Sequence, residues 1–351
     1  MSNREPTKMS REQRRTFFRA LATMLSAGLS LLEALDYLDR EKGEDEIRTV
    51  VERLRSSLVK GQRLSTSLQQ TGLFPSFHCS LIRVGEETGS LSLVLQRLAF
   101  HEENTMALRQ MIVSRMTYPA VLFAVALTML IVLPAFCLEG LFQVLENAQV
   151  ALPLLTRGFI GASRFLASPI VLIGLPALAV GAYKITRRAL YGQANRDRGW
   201  RVLLRLPIIG KPLRCLSLAT FTEALALQLT VGLSPLPALG ASVRLTEDPE
   251  LREDVELAIE LIRDGATLGE AFREADAVTP MLHSMINVGE ESGTLPHLLE
   301  KTAKYYALEV DTALEQLASA LEPLVLVVMG VVFGLIMVAL MNPLVSMLQS
   351  L

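Results

Sequence analysis

Three stretches of this chain contain no charged side chain: Met116–Leu138 with 23 residues, Phe165–Tyr183 with 19 and Pro323–Leu351 with 29. A helix needs about 20 apolar residues to cross the hydrocarbon of a bilayer, so each run is long enough to span it. The middle run is interrupted by Pro169, Gly174, Pro176 and Gly181. Membrane helices tolerate such residues where neighbouring groups satisfy the freed backbone. The sequence therefore predicts an all-α membrane protein with three transmembrane helices. The remaining composition agrees, with 50% hydrophobic residues and a mean hydropathy of +0.37. A formal net charge of -2 supplies no basic field for a phosphate backbone, so no nucleic acid is expected as a partner.

Lysine and arginine placement sets the expected orientation. Lys184, Arg187, Arg188, Arg196, Arg198, Arg201 and Arg205 follow the middle run, whereas the segment 139–164 holds only Arg157 and Arg164. Positive charge stays on the cytoplasmic side. The N-terminus is then cytoplasmic, the 139–164 loop lies across the membrane, and the C-terminus ends on that outer side. The basic run after the middle span suits an anchor to anionic membrane lipid. The N-terminal basic stretch, Arg4 to Arg19, is not followed by an uninterrupted apolar segment, and no signal peptide is expected.

The chain also repeats itself at one fixed offset. Val84-Gly85-Glu86-Glu87-Thr88-Gly89-Ser90-Leu91 recurs 204 positions later as Val288-Gly289-Glu290-Glu291-Ser292-Gly293-Thr294-Leu295. The same offset carries Gly28 to Gly232, Gly61 to Gly265, Leu64 to Leu268 and Pro119 to Pro323. Agreement in one register at separated landmarks indicates two copies of one domain, each ending at a membrane helix that starts at an equivalent proline. Both copies read as about five to seven short helices without an alternating strand pattern. Gly28 and Gly232 suit helix breaks; Ser30-x-x-Glu33 and Thr267-x-x-Glu270 have the capping-box pattern; Ser234 and Pro235 suit a helix start. The last helix of each copy, from near Ser90 and Thr294, is expected to run on toward the membrane.

The copies differ in charge. Residues 1–118 carry 17 Lys+Arg and 14 Asp+Glu, whereas residues 219–322 carry 6 and 19. The acidic run Glu247-Asp248-Pro249-Glu250 with Glu253-Asp254 either keeps a helix pair soluble or docks a basic surface.

Catalytic signatures are missing. The fragment Gly210-Lys211-Pro212 has Arg205 in place of the first glycine of a phosphate loop and proline in place of the metal-binding hydroxyl. His101-Glu102-Glu103 lacks a second histidine at helical spacing, and His78, His283 and His297 form no ligand pattern. Cys79, Cys137 and Cys215 form no close pair and read as small apolar residues. No ionisable residue lies inside the three runs, which argues against a pump. No enzyme activity, metal or cofactor is therefore expected. The Gly-Glu-Glu-[ST]-Gly segments are the candidate sites, open to three roles: local backbone geometry with a helix dipole, contact with a partner, or a cation. Gly330-x-x-x-Gly334 offers a possible close-packing face.

Together these features resemble the inner-membrane platform family of type II secretion and type IV pilus machines, the F-protein or PilC-like family. The resemblance rests on the two Val-Gly-Glu-Glu segments, on Leu25-Ser26-Ala27-Gly28-Leu29 with Leu229-Thr230-Val231-Gly232-Leu233, and on Met116-Thr117-Tyr118-Pro119. Arg115 departs from the small or aliphatic residue usual there. The resemblance implies a non-enzymatic scaffold in the bacterial inner membrane, with an N-terminal tail at 1–16, cytoplasmic bundles at 17–118 and 219–322, and spans at 119–138, 165–183 and 323–345. It further implies a periplasmic loop at 139–164, a basic cytoplasmic connector at 184–218 and a periplasmic tail at 346–351. Implied partners are a cytoplasmic hexameric secretion or pilus ATPase, pilin or pseudopilin subunits, other inner-membrane assembly proteins and further copies of the chain in a homo-oligomer. Gly85, Glu86, Glu87, Gly89, Gly289, Glu290, Glu291 and Gly293 are the motif residues for partner contact; Gly28, Gly232, Pro119 and Pro323 mark helix breaks and span starts. A polytopic transporter or a membrane-anchored signalling component is the competing class.

Overall fold

Each half of the chain folds by the same local rules. Ser10 and Gln13 close a reciprocal capping box at the start of α1 (Arg11–Ser26). Gly28, at φ 88°, turns the chain out of α1, and the Leu29 N–H donates back to the Met24 carbonyl at 3.1 Å. Ser30 and Glu33 then cap α2 (Leu31–Arg40), their two bonds measuring 3.3 and 2.8 Å. Next come α3 (Asp45–Val59), α4 (Leu64–Thr71), α5 (Ser76–Thr88) and the long α6 (Leu91–Asn147). A further helix, α7 (Gln193–Arg205), precedes the second copy, which is formed by α8 (Gly210–Thr230), α9 (Pro235–Val243), α10 (Pro249–Arg263), α11 (Leu268–Ala271), α12 (Pro280–Ser292) and α13 (Leu295–Gln349).

The computed structural model describes residues 9–40, 45–147, 193–206 and 209–349. No strand occurs among them. The expected second span at 165–183 lies outside the described residues. So do 148–164 of the expected loop, part of the connector and the last two residues of the tail.

Six helices of one copy match six of the other. The turn glycines Gly28, Gly61 and Gly89 are left-handed, and so are their counterparts Gly232, Gly265 and Gly293. In the first module Phe17, Phe18 and Phe74 stack with centroids 5.6–5.7 Å apart over Leu21, Leu35 and Leu81. The second core centres on Phe221, the counterpart of Phe17, with Phe272, Leu239 and Leu299. Both modules belong to one compact unit, formed by Met1–Met111 and Trp200–Val310. Three residues of α8, Ala224, Leu227 and Val231, lie in the first module's core. The second unit comprises Ile112–Gly199 and Asp311–Leu351.

Among the described residues, two helices are long and apolar enough to cross a membrane, in the stretches Leu91–Met129 and Leu295–Val338. Only 6% and 12% of their most apolar windows are buried inside the protein, whereas a soluble core helix would be mostly covered. The chain is an all-α membrane protein.

Several boundaries differ from the sequence-based ones. The segment 1–16 is not all tail: the Ser10 cap starts α1 early, and Met9 and Arg14 are buried. Residues 184–218 are not all connector, because α8 begins at Gly210 and places Leu218 in the core. Pro119 and Pro323 lie inside α6 and α13, which run on from near Ser90 and Thr294 as continuous helices. The lost N–H of proline is tolerated there, as in membrane helices generally. α6 continues to Asn147, within the expected 139–164 loop, since no proline interrupts Glu139–Asn147. α13 likewise enters the expected tail. Ser234 precedes Pro235 as expected but makes no side-chain cap; its carbonyl accepts the Ala238 N–H at 3.3 Å. A Cβ added at Gly330 or Gly334 would meet nothing within 4 Å, so no described helix packs closely there.

Gly232 and Gly240 separate backbone need from spare room. Gly232 sits at φ 90°, and Gly232→Ala is expected to cost about 1–2 kcal/mol. Gly240 lies inside α9, where a Cβ would make ordinary contact with Ile259 at 3.8 Å. Gly240→Ala is expected to be neutral or to stabilise by up to about 1 kcal/mol. Thermal denaturation of the two variants in detergent checks the pair.

Candidate functional site

The Gly-Glu-Glu-[ST]-Gly segments do not form free loops. Gly85, Glu86 and Glu87 occupy the last turn of α5, and only Gly89, at φ 71°, makes the turn into α6. Gly289, Glu290, Glu291 and Gly293 repeat this at the end of α12.

Each conserved-spacing residue has a distinct local task. Gly85 lies where the next helix crosses: a Cβ there would come within 2.8 Å of Val94 Cγ2 and 3.1 Å of Leu91 Cα. A Cβ on Gly289 would reach Leu295 Cα at 2.8 Å, where backbone cannot give way. The first glutamate turns back to an earlier helix. Glu86 Oε1 accepts the Leu64 N–H at 2.5 Å, and Oε2 accepts the Ser65 N–H at 3.3 Å and its hydroxyl at 2.5 Å. Arg63, at the N-cap of α4, supplies no side-chain cap. Glu86 therefore does from another helix what an N-cap residue ordinarily does, at the positive end of the α4 dipole. In the second copy Glu290 takes the Leu268 and Gly269 N–H groups at 2.9 and 3.0 Å, while Thr267 and Glu270 complete a capping box. The Thr267 bonds hold the Glu270 carboxyl below the usual range.

The second glutamates diverge. Glu87 pairs with Arg63 at 3.2 Å, but position 267 holds threonine, and Glu291 is exposed. The dipole role belongs to Glu86 and Glu290, and the helix served lies upstream of the turn, not after it. Both second glutamates are exposed. Among the described residues no group of three His, Cys, Asp or Glu side chains could hold a metal ion.

The acidic run of the second copy is mostly spent internally. Asp248 caps α10, accepting from Glu250 N at 3.0 Å and Leu251 N at 3.2 Å, and its burial pushes its carboxyl up. Glu250 pairs with Arg214 and Glu253 with Arg201, while Asp254 takes the Ala277 N–H at 2.7 Å. Arg115, the unusual residue before the first span, makes a two-pronged bond to Asp311 of α13 at 2.7 and 2.9 Å. Cys79 is buried in the first core, where burial pushes its thiol up.

Sequence reasoning missed a buried trio in the first module. Arg14 Nε donates to Glu102 Oε1 at 2.8 Å and Arg14 Nη1 to the Met9 carbonyl at 2.9 Å; His78 Nε2 lies 3.5 Å from the same carboxylate. The signal was in the repeat: the offset of 204 takes these positions to Leu218, Leu282 and Tyr306.

Comparison with known proteins agrees with this architecture. The family described as "Type II secretion system (T2SS), protein F" matches residues 17–138 and again 221–343, the two copies of the repeat. A type IV pilus assembly protein PilC of Thermus thermophilus is 34% identical over 95% of this chain and 82% of its own length. A type 4 fimbrial assembly protein PilC of Pseudomonas putida is 33% identical over 97% and 85%. A type II secretion system protein F of Xanthomonas campestris pv. campestris is 31% identical over 95% and 82%. An all-helical membrane protein with duplicated bundles is the class that the fold defines. The chain belongs to the type II secretion system protein F family.

Removing the motif carboxylate leaves two backbone N–H groups in partly buried surroundings without their acceptor. Glu86→Ala and Glu290→Ala are each expected to cost about 1–3 kcal/mol, with Glu86→Ala the larger because α4 has no second cap. Asp248→Asn, which keeps an acceptor for Leu251 N and removes a buried charge, is expected to leave stability unchanged or higher at pH 7, whereas Asp248→Ala loses about 1–2 kcal/mol. Chemical denaturation at pH 7 distinguishes these outcomes.

Proposed function

We propose that this chain is the inner-membrane platform of a type II secretion or type IV pilus assembly machine, a non-enzymatic scaffold that couples a cytoplasmic ATPase to the extraction and assembly of pilin-like subunits. Family membership over both copies carries this reading. Its physical support is the pairing of a two-module compact unit with two helices, α6 and α13, that run on from the modules into long apolar stretches.

The proposed topology rests on the same features. Ala224, Leu227 and Val231 of the second copy pack in the core of the first, which supports both modules lying on one side of the membrane. With α6 as the first span, this reading needs a return span before α7 at Gln193. The charge-free run 165–183 is the stretch that suits this return, giving three spans with the N-terminus and both modules cytoplasmic and the C-terminus periplasmic.

For the ATPase the second module offers the outward face of α10. Glu256, Glu260 and Asp264 are exposed there beside Leu257 and Leu261, which are 55% and 40% exposed. Charge around an apolar pair suits a basic partner surface. Full-length protein in detergent, mixed with a secretion-type ATPase from the same organism, is expected to bind at low salt and to release as salt rises. Glu256→Lys with Glu260→Lys is expected to weaken binding about tenfold or more, near 1.4 kcal/mol. Binding that ignores both salt and charge reversal counts against this face, and absence of any binding counts against the coupling.

A further inference from the structure

Arg14, His78 and Glu102 are nine-tenths or more buried as side chains and link α1, α5 and α6. Their counterparts in the second module, Leu218, Leu282 and Tyr306, are equally buried and belong to its apolar core. One backbone plan thus holds the same three places with an ion pair and a histidine in one copy and, in the other, with two leucines and a tyrosine whose hydroxyl bonds Thr279. The charged trio is not needed to build the fold, because the second copy builds it without one. Replacing buried ion pairs by apolar groups is generally neutral or stabilising, so stability alone does not account for the trio.

Further polar pairs join α1 to α6 on either side of Phe17, Phe18, Leu21 and Ala22, which are buried in the first core. Arg19 pairs with Glu103 and Ser26 meets Ser92 at 2.8 Å, beside the Arg14–Glu102 pair. At the matching positions of the second copy stand Glu223 with Ala307 and Thr230 with Pro296, which cannot form such pairs. Glu223 instead reaches α6 of the first module, accepting from Asn104 at 3.0 Å with His101 at 3.5 Å. Residues 101–104 of α6 therefore hold both α1 and α8, through adjacent polar side chains.

We propose that the α1–α6 contact is a latch that opens more readily than the matching contact of the second copy. Opening exposes apolar core in both copies, Phe17, Phe18 and Leu21 in the first and Phe221 and Leu225 in the second. Only in the first does opening also return Arg14, Glu102 and His78 to water, which hydrates them well, whereas in the second it adds Leu218, Leu282 and Tyr306 to the exposed apolar surface. His78 also leaves its Nδ1 without a hydrogen-bond partner while the contact is closed, an imperfection that opening relieves.

Acid favours the open form. The groups facing His78 are Arg11 and Arg14 from α1, and His101 and Glu102 from α6. Burial, then His101, Arg14 and Arg11, hold His78 well below its ordinary value, so it is neutral when the latch is closed. Once open, it returns to about 6.5 and takes up a proton. The open form then binds more protons, so closure is complete above about pH 6.5 and weakens as pH falls below it, by at most about tenfold per pH unit for one proton.

Hydrogen exchange of the full-length protein in detergent tests this, with rates corrected for intrinsic pH dependence. Amides of α1 are expected to exchange about tenfold or more faster than those of 215–230 in α8 at pH 7, with the gap widening about threefold or more at pH 5.5. The triple substitution Arg14→Leu, His78→Leu and Glu102→Phe makes all three places apolar, phenylalanine being used because Pro75 stands where Thr279 meets the Tyr306 hydroxyl, and is expected to bring α1 down to the α8 rate and abolish the pH effect. Equal protection of α1 and α8 in the unsubstituted protein at both pH values would overturn the latch, as would a folded triple variant with unchanged α1 exchange. The unsubstituted pH pair decides the matter even where the triple variant does not fold.

Discussion

Ala224, Leu227 and Val231 come from the second copy of the repeat but are buried in the core of the first. Apolar side chains shared in this way hold two modules in one solvent compartment, since neither surface can face water without the other. The two copies are separated in sequence by a segment that begins in a long apolar helix. The proposed topology, with a return across the bilayer between the two copies and both bundles on one side, rests on this one packing contact.

Within each module the Gly-Glu-Glu segment closes the bundle. Gly85 and Gly289 let the following helix approach within van der Waals distance of backbone, and Glu86 and Glu290 tie the helix end to the start of α4 or α11. The result is a tied corner at the start of α6 and α13, the place where the proposed coupling would pass from a module to its long helix. The latch between α1 and α6 adds one place where the otherwise similar modules differ in ease of opening.

The repeat, the helix breaks at Gly28 and Gly232, and the capping boxes at Ser30 and Thr267 were legible because each depends on residues three or four apart. The partner of Glu86 was not, because it lies 22 positions upstream and is fixed only once α4 and α5 pack together. The same holds for the acidic run, whose charges are taken up by Arg214, Arg201 and the Ala277 N–H.

The claim that both modules share one side of the membrane is tested most directly by placing single cysteines at the exposed positions Glu87 and Glu291, in a background lacking Cys79, Cys137 and Cys215. Labelling with a membrane-impermeant maleimide should fail at both sites in intact spheroplasts and succeed at both in inverted inner-membrane vesicles. Labelling of the two sites from opposite faces would contradict the shared core and, with it, the three-span platform.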